Sequence, residues 1–457
     1  MSCVYCRNIV CTADIVGCLH APTLAALRTS AQDCWLCFKI LTGTSILAPA
    51  DYRISRVGIN WPINCVIQIR YGAAVLVIRD AQLRNLGTIQ RVRILTNRGD
   101  PAVRHSVPVR HHLTSTSSDP SFMIARSWIL DCQLNHRCSE AIPTLTTQYL
   151  DGVRPARMID VAAFQHPSQD IRLVEMDQVC TYVALSYCWG HGLSYVTKQD
   201  TLLSLLTRIS YNDLPQTFQH AITATRNLGY RYLWLDALCI VQDSVQDWER
   251  ESQKMGVIYS QAVVTIAATE SRGVHDGFFN YESCSEISPS WKKMVVRDAV
   301  RYREPTELLL YEDAYDPMDA ATDMAAGTLA QRAWACQERI LSARVLHYKK
   351  KQIYWECRQA AHIEEGIPSF SNNSGWAGTG PSLGRELAAY DISDRDLSNR
   401  IFKWYNEILH THYSTRQLTY ASDRLPAISG LAKLVRGSMN ITYLAGLWKE
   451  RLQFGLC

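Results

Sequence analysis

The sequence predicts an α/β protein: a parallel-sheet βαβαβ core, preceded by an N-terminal cysteine-rich and β-rich region and followed by a mixed α+β C-terminal region. Three observations predict it. The runs YVALSY (182–187), YLWL (232–235) and VVTIAA (263–268) are short and continuously apolar, as strands buried on both faces must be. The intervals between them carry helical periodicity, so strand, helix, strand, helix, strand alternate at βαβ spacing. Polar segments at 111–121 and 366–384 divide the chain on either side of this core. The regions are then 1–110, a core over 122–280, and 281–457.

In the first region INCVIQIRYGAAVLVIRD (63–80) reads as two strands about Tyr71-Gly72, and IQRVRIL (89–95) as a third. HHLTSTSSDPS (111–121) reads as a linker. In the core, Leu214-Pro215 opens a helix with proline at the first helical position, where its missing N–H costs little. Phe218, Ile222, Thr225 and Leu228 give that helix an apolar face, and Gly229 stops it. Ser244 and Asp247 form a capping box for a helix that turns Trp248, Met255 and Ile258 inward. Beyond the core, RAWACQERILSARVLHY (332–348) reads as a helix passing into a strand, and Lys349-Lys350-Lys351 as a hairpin turn before QIYWEC. GIPSFSNNSGWAGTGPSLG (366–384) reads as a mobile loop.

Composition bounds the function. The chain has 457 residues, 47% hydrophobic and 20% charged, with a formal net charge of +4. That charge is too small and too dispersed for a nucleic-acid footprint. No stretch approaches the roughly 18 apolar residues of a membrane span; the most apolar, YLWLDALCIV, carries Asp236 in its middle. Met1-Ser2-Cys3 begins without a basic or apolar leader, which predicts an intracellular, cytoplasmic protein whose sixteen cysteines stay reduced. They then serve as core residues, nucleophiles or metal ligands.

Right-handed crossovers place both helices against the sheet, and ligands of such sheets bind outside the carboxyl ends of the strands. Those ends supply Ser186, Tyr187, Cys188 and Trp189, then Asp236 through Gln242 and Asp243, then Thr269-Glu270. No glycine-rich phosphate cradle and no G-x-S-x-G elbow is present. A nucleotide still fits such a rim, since helix N-termini attract anions and Trp189 or Trp234 offers a stacking face. Asp236 follows an apolar strand, where carboxylate pKa values move. Asp247 reads as a helix cap, and Glu251 either as a site carboxylate or as a structural acceptor. Cys188 is a nucleophile if His191 or His220 lowers its pKa, or else a buried inert thiol. Arg332, Gln337, Glu338 and Arg339 flank Trp334 and form either a structural clamp or a transition-state clamp.

Cys3-x2-Cys6 and Cys34-x2-Cys37 have a spacing usable by structural zinc, with Cys11, Cys18 and His20 as substitutes. CWLCFKIL reads equally as the apolar face of a helix. Cys132, His136 and Cys138 supply a second site or complete the first.

Taken together, YVALSYCWG, LPQTFQHAI, LGYRYLWLDALCIVQDSVQDWERESQKMGVIYSQA and RAWACQERILSARVLHY closely resemble the fungal heterokaryon incompatibility (HET) domain. SAQDCWLC and WILDCQLNHRC resemble its flanking segments, and YSTRQLTYASDRLPAISGLA and YLAGLWKERL its C-terminal continuation. The resemblance implies a fungal intracellular protein of non-self recognition and regulated cell death. It carries over Ser186, Trp189, Asp236, Gln242, Asp243, Trp248, Glu251, Arg332, Trp334, Gln337 and Glu338. The HET domain is also distantly similar to Toll/interleukin-1 receptor (TIR) domains, which implies a TIR/flavodoxin-like core. Some TIR domains hydrolyse NAD with a glutamate after the third strand, whose nearest equivalent here is Glu270. NAD is then a substrate and not a redox cofactor. Two segments depart from the family pattern: Gln219-His220, where an acidic residue is usual, and a Cys-x3-His-x2-Cys segment that is one residue shorter here.

Three functions follow as expectations. The first is a cell-death module that cleaves NAD. The second is a biosynthetic transferase, moving an acyl or aminoacyl group through Ser186 or Cys188 with Glu338 or a histidine as base. The third is a non-catalytic module that self-associates through the same surface.

Overall fold

The protein is known from a computed structural model, which describes residues 10–11, 18–21, 24–42, 63–70, 73–79, 85–89, 92–96, 115–139, 154–190, 195–280, 291–298, 305–312, 327–349, 352–364, 383, 394–436 and 441–456. The chain forms two units: residues 1–113, 283–319 and 363–369 make one, and 114–282, 320–362 and 370–457 the other.

The first unit holds β1 (Val10–Cys11), β2 (Cys18–Ala21), α1 (Leu24–Asp33), α2 (Trp35–Thr42), β3 (Ile63–Arg70), β4 (Ala73–Arg79), β5 (Asn85–Ile89) and β6 (Val92–Thr96). The strands β12 (Trp291–Asp298) and β13 (Pro305–Glu312) complete an eight-stranded sheet of order β5-β4-β3-β1-β12-β13-β6, with β2 beside β3. The hairpin expected over 63–80 is there, with Arg70 opposite Ala73. The single strand expected at 89–95 is instead divided. β5 pairs with β4, whereas β6 pairs with β13, some two hundred residues onward, a partner no local pattern reveals. Leu27 and Ala31 of α1, Cys34 between the helices, and Leu36, Cys37 and Ile40 of α2 are buried, so much of CWLCFKIL packs as apolar helix.

The second unit begins at α3 (Asp119–Asn135). The linker expected over 111–121 is largely structured where it is described. Ser118 caps α3 through Ser121 N–H, Pro120 sits in its first turn, and Thr116 N–H donates to Asn280 O at 3.2 Å. Serine, aspartate and proline mark loops and helix starts alike, and here the second role wins.

An eight-stranded sheet follows, built from β7 (Arg157–Asp160), β8 (Arg172–Glu175), β9 (Tyr182–Ser186), β10 (Tyr232–Trp234), β11 (Val264–Ala268), β14 (Arg344–Tyr348), β15 (Ile353–Cys357) and β16 (Ala361–Ile363). Its order is β16-β15-β14-β11-β9-β10-β7-β8. β9 runs parallel to both β10 and β11, and β14 parallel to β11. β15 and β7 turn antiparallel at the flanks. The class is therefore α/β with a mixed sheet, parallel at its centre. Every residue of β9 and of β11 is buried, which explains their unbroken apolar sequence.

After α4 (Leu202–Thr207), the crossover from β9 to β10 uses α5 (Gln216–Asn227), whose Phe218, Ala221, Ile222 and Thr225 are buried. Pro215 is its N-cap, one position before the expected first turn. The crossover from β10 to β11 uses α6 (Val245–Ser252) and α7 (Met255–Gln261), and Ser244 caps α6 through Asp247 N–H as the sequence predicts. One crossover lands on each side of β9, so the strand order switches at its carboxyl end, the position where open sheets of this kind bind ligands. Among the described residues no helix is long and apolar enough to cross a membrane.

The helix over RAWACQERIL is α8 (Ala333–Leu341), followed by β14 as expected. After α9 (Asp394–Lys403), α10 (Pro426–Arg436) packs on α8. Gly430 lets the helices touch: its N–H donates to Gln337 Oε1 at 2.6 Å, and a Cβ there would meet that oxygen at 2.7 Å and Leu341 Cδ1 at 3.0 Å. Gly430→Ala should therefore lower unfolding free energy by about 1–3 kcal/mol, the usual cost of overpacking. Urea denaturation checks this; an unchanged midpoint would show that the helices part without cost.

Candidate functional site

At the carboxyl end of β9 the backbone leaves the sheet through Ser186, Tyr187, Cys188 and Trp189 and turns at Gly190. Gly190 has φ +70°, and a Cβ would stand 2.7 Å from Gly273 Cα. Only glycine permits both the left-handed conformation and this contact. The turn aims two aromatic donors at one carboxylate: Tyr187 Oη donates to Asp236 Oδ1 at 2.7 Å, and Trp189 Nε1 to Asp236 Oδ2 at 2.9 Å. Asp236 stands just after β10, so the first two expected strand exits meet.

Beside them lies a buried polar centre. Ser186 and Glu338 are 4% and 3% exposed. The Ser186 hydroxyl donates to Glu338 Oε2, and Arg332 Nη1 donates to the Tyr187 carbonyl. Burial raises the Glu338 carboxyl from its ordinary 4.5 to about 7; Arg332 and the Ser186 hydrogen bond oppose the rise, and Asp236 adds to it. For Arg332, burial disfavours the charge, but Glu338 and Asp236 outweigh it and raise the pKa. Tyr259, from α7, donates its hydroxyl to Leu185 O at 2.9 Å. Helix α8 thus brings Glu338 across to the end of β9, which sequence proximity could not show.

A second charged array adjoins. Arg339 grips Glu356 with two bonds, Nε to Oε1 at 2.6 Å and Nη2 to Oε2 at 2.9 Å. His347 Nε2 lies 2.8 Å from Glu356 Oε1, and His347 Nδ1 3.1 Å from Thr269 Oγ1. Burial opposes the charge of Glu356, yet Arg339 and His347 hold it at about 2. The sequence reading missed His347 and Glu356. Their signal was a charged or titratable residue inside an apolar run, RVLHY and IYWEC. Ser186, Thr269, Arg339, His347 and Arg416 line a hollow of about 20 Å³, room for about one water molecule. A wider cleft of about 470 Å³ is lined by Tyr195, Asp213, Leu214, Pro215, Gln216, Gln219 and His275, none of them a predicted site residue.

Other candidates take different places. Cys188 is 5% exposed, and burial pushes its thiol up to about 11; it is packed with Ala267, Leu329, Ala335 and Val345. It is an inert thiol at neutral pH and not an activated nucleophile. His220 is also excluded as its base: burial lowers its pKa to about 4, and its Nδ1 accepts from Phe278 N at 2.9 Å and Phe279 N at 3.0 Å. His191 lies outside the described residues.

Glu270 stands 3.7 Å from Lys349, with its side chain 32% exposed, and so does not enter the buried centre. Glu251 accepts from Ala156 N at 3.0 Å and pairs with Lys254 at 2.7 Å, while Asp247 pairs with Arg157 and Arg250. Gln242 Nε2 donates to Asp236 O at 3.0 Å and so steadies the rim, while exposed Asp243 accepts from Gln199 N. Trp248 is partly buried against the core. Trp334 Nε1 donates to Asp423 Oδ2 at 3.2 Å, and Gln337 is the helix-packing residue described above.

Cys3 and Cys6 lie outside the described residues; Cys37 Sγ accepts from Ser30 Oγ at 3.3 Å. Among the described residues the set able to hold a metal is Cys132, His136, Cys138 and Cys357, whose ligand atoms all lie within 4.8 Å of one another.

Residues 182–338 match the family model described as Heterokaryon incompatibility protein (HET). No curated protein and no solved structure matches. The matched stretch runs from the first residue of β9 to Glu338 and so contains Ser186, Asp236 and Arg332.

The raised pKa of Glu338 has a thermodynamic consequence. Between pH 4.5 and about 7 the folded chain holds a proton that the unfolded chain has released, so stability contributed by this group is full below pH 4.5 and is lost as pH rises through 7. The loss is about 3 kcal/mol. Glu338→Gln should flatten that part of the profile, its stability relative to wild type rising by about this amount from pH 4.5 to 8. Parallel denaturation curves across that range would refute the shift.

Proposed function

We propose, from the premise that residues 182–338 form a HET domain, that the chain serves fungal non-self recognition and cell death by cleaving NAD at the carboxyl end of β9. The observation that carries the reading is Glu338: buried, hydrogen-bonded to Ser186 and poised near pH 7. A carboxyl held partly neutral by burial ionises when a positive charge arrives beside it. The ribosyl cation that forms as nicotinamide departs is such a charge.

In this reading the bond between the nicotinamide nitrogen and the ribose C1 breaks, and its electron pair leaves with the nicotinamide. The Glu338 carboxylate stabilises the cation. Water then bonds to C1 and passes its proton to Glu338. Ser186 positions the carboxylate, and Trp189 offers a stacking face. Of Glu270 and Glu338, Glu338 has the desolvated setting this role requires and Glu270 does not. A hollow of about 20 Å³ does not admit a nucleotide, so this reading requires the hollow to widen when NAD binds.

A second reading has one observation in its favour, the hydrogen bond from the Ser186 hydroxyl to Glu338: an acyl transferase with Ser186 as nucleophile and Glu338 as base. Two measurements separate the readings. Purified protein incubated with NAD should release nicotinamide; Glu338→Gln should reduce the rate by about 10²–10³-fold, and Glu270→Gln by less than about threefold. No release above the blank from a folded chain would eliminate NAD cleavage. An acyl adduct on intact mass that disappears in Ser186→Ala would establish the second reading in its place.

A further inference from the structure

Helix α3 ends at Asn135, and His136 leaves it in an extended conformation with ψ 146°. Cys132 occupies the last helical turn, and Cys138 lies in the short helical turn Arg137–Ser139. This local geometry points three ligand types at one place. The fourth arrives from far along the chain: Cys357 is the last residue of β15. Cys132, Cys138 and Cys357 are 0%, 1% and 3% exposed, and His136 is half-buried. Cys357 Sγ lies 3.4 Å from His136 Nδ1. A tetrahedral zinc ion with ordinary bond lengths would hold such a sulfur and nitrogen about 3.6 Å apart.

The surroundings are those of thiolates. Gln359 N–H and Ala360 N–H both donate to Cys357 Sγ, at 3.4 and 3.2 Å. Arg344 Nε donates to Cys132 Sγ at 3.1 Å, and Arg358 Nη1 is held nearby on Cys138 O at 3.1 Å. Neutral thiols are weak acceptors and do not call for this array. Three thiolates and a neutral imidazole around a divalent ion leave one net negative charge, which the Arg344 guanidinium opposes.

We infer that Cys132, His136, Cys138 and Cys357 form a structural zinc site that ties the end of α3 to the end of β15. Three soft sulfur ligands and an imidazole in a closed tetrahedron select zinc over hard cations. The ligands come from both sides of the HET match at 182–338, so the ion closes the chain around that domain. This inference is independent of NAD cleavage.

The full chain, purified reduced and without chelators, is analysed by native mass spectrometry and elemental analysis, with cobalt substitution as the spectroscopic probe. The expected result is bound zinc that falls by one equivalent in Cys357→Ser, and a tetrahedral thiolate–cobalt spectrum that the same variant loses. Cys357→His keeps four ligands and should restore the ion, which guards against a variant that merely misfolds. Arg344→Met leaves every ligand in place and should weaken zinc by about 10- to 100-fold. A zinc chelator should lower the wild-type melting temperature and leave that of Cys357→Ser unchanged. Equal metal content in wild type and Cys357→Ser would overturn the assignment, as would a disulfide among Cys132, Cys138 and Cys357 in the freshly purified chain.

Discussion

A carboxyl group buried at the end of a parallel sheet is costly, and Glu338 sits in that position beside the central strand β9. Isolated in an apolar interior, its ionised form would be penalised by several kcal/mol. The Ser186 hydroxyl on β9 and the neighbouring Arg332 offset part of that cost. These partners fix the position of α8 relative to the sheet, because withdrawing the helix would strip Ser186 and Glu338 of each other. Packing then follows: the adjacent Gln337 accepts from Gly430 N–H, and α10 packs on α8 there.

Two buried glutamates in this unit show how geometry sets the sign of a pKa shift. Glu356 is gripped by both nitrogens of Arg339 and touched by His347, and its pKa falls to about 2. Glu338 is equally buried, but the guanidinium beside it spends a donor on the Tyr187 carbonyl, and its pKa rises to about 7. The desolvation is similar in the two sites, and the direct charge-assisted hydrogen bonds differ. Glu356 is therefore a permanently ionised anchor. Glu338 can exchange a proton near neutrality, which is what a group taking part in chemistry requires.

The strand exit that turns through Gly190 serves the same arrangement from the other side. Tyr187 and Trp189 satisfy both oxygens of Asp236, so the second carboxylate of the rim is fully hydrogen-bonded and held in one orientation. With Glu338 and Asp236 both near Arg332, the rim joins a fixed carboxylate, a titrating one and a cation. The cysteine–histidine cluster lies on residues outside the matched segment, and Arg344, Gln359 N–H and Ala360 N–H donate to its sulfurs.

The α/β class, the three parallel strands, the crossover helices and the convergence of Ser186 through Trp189 with Asp236 were legible in the chain, because buried strands and amphipathic helices carry periodicities that can be counted. The sequence also marked Arg332 and Glu338 as an important pair, through a dense constellation on one helix. Which groups share a centre emerged only from the folded arrangement. Contact between Ser186 and Glu338, the removal of Glu270 and Glu251 to other partners, and the split of 89–95 between two strands all depend on pairings across large sequence separations. Cys357 joining Cys132, His136 and Cys138 is the plainest case: the first three announce themselves by spacing, whereas the fourth is one thiol at the end of an apolar strand. Local propensity is written in neighbouring residues, but burial and the electrostatics that follow from it belong to whichever distant segment the fold brings alongside.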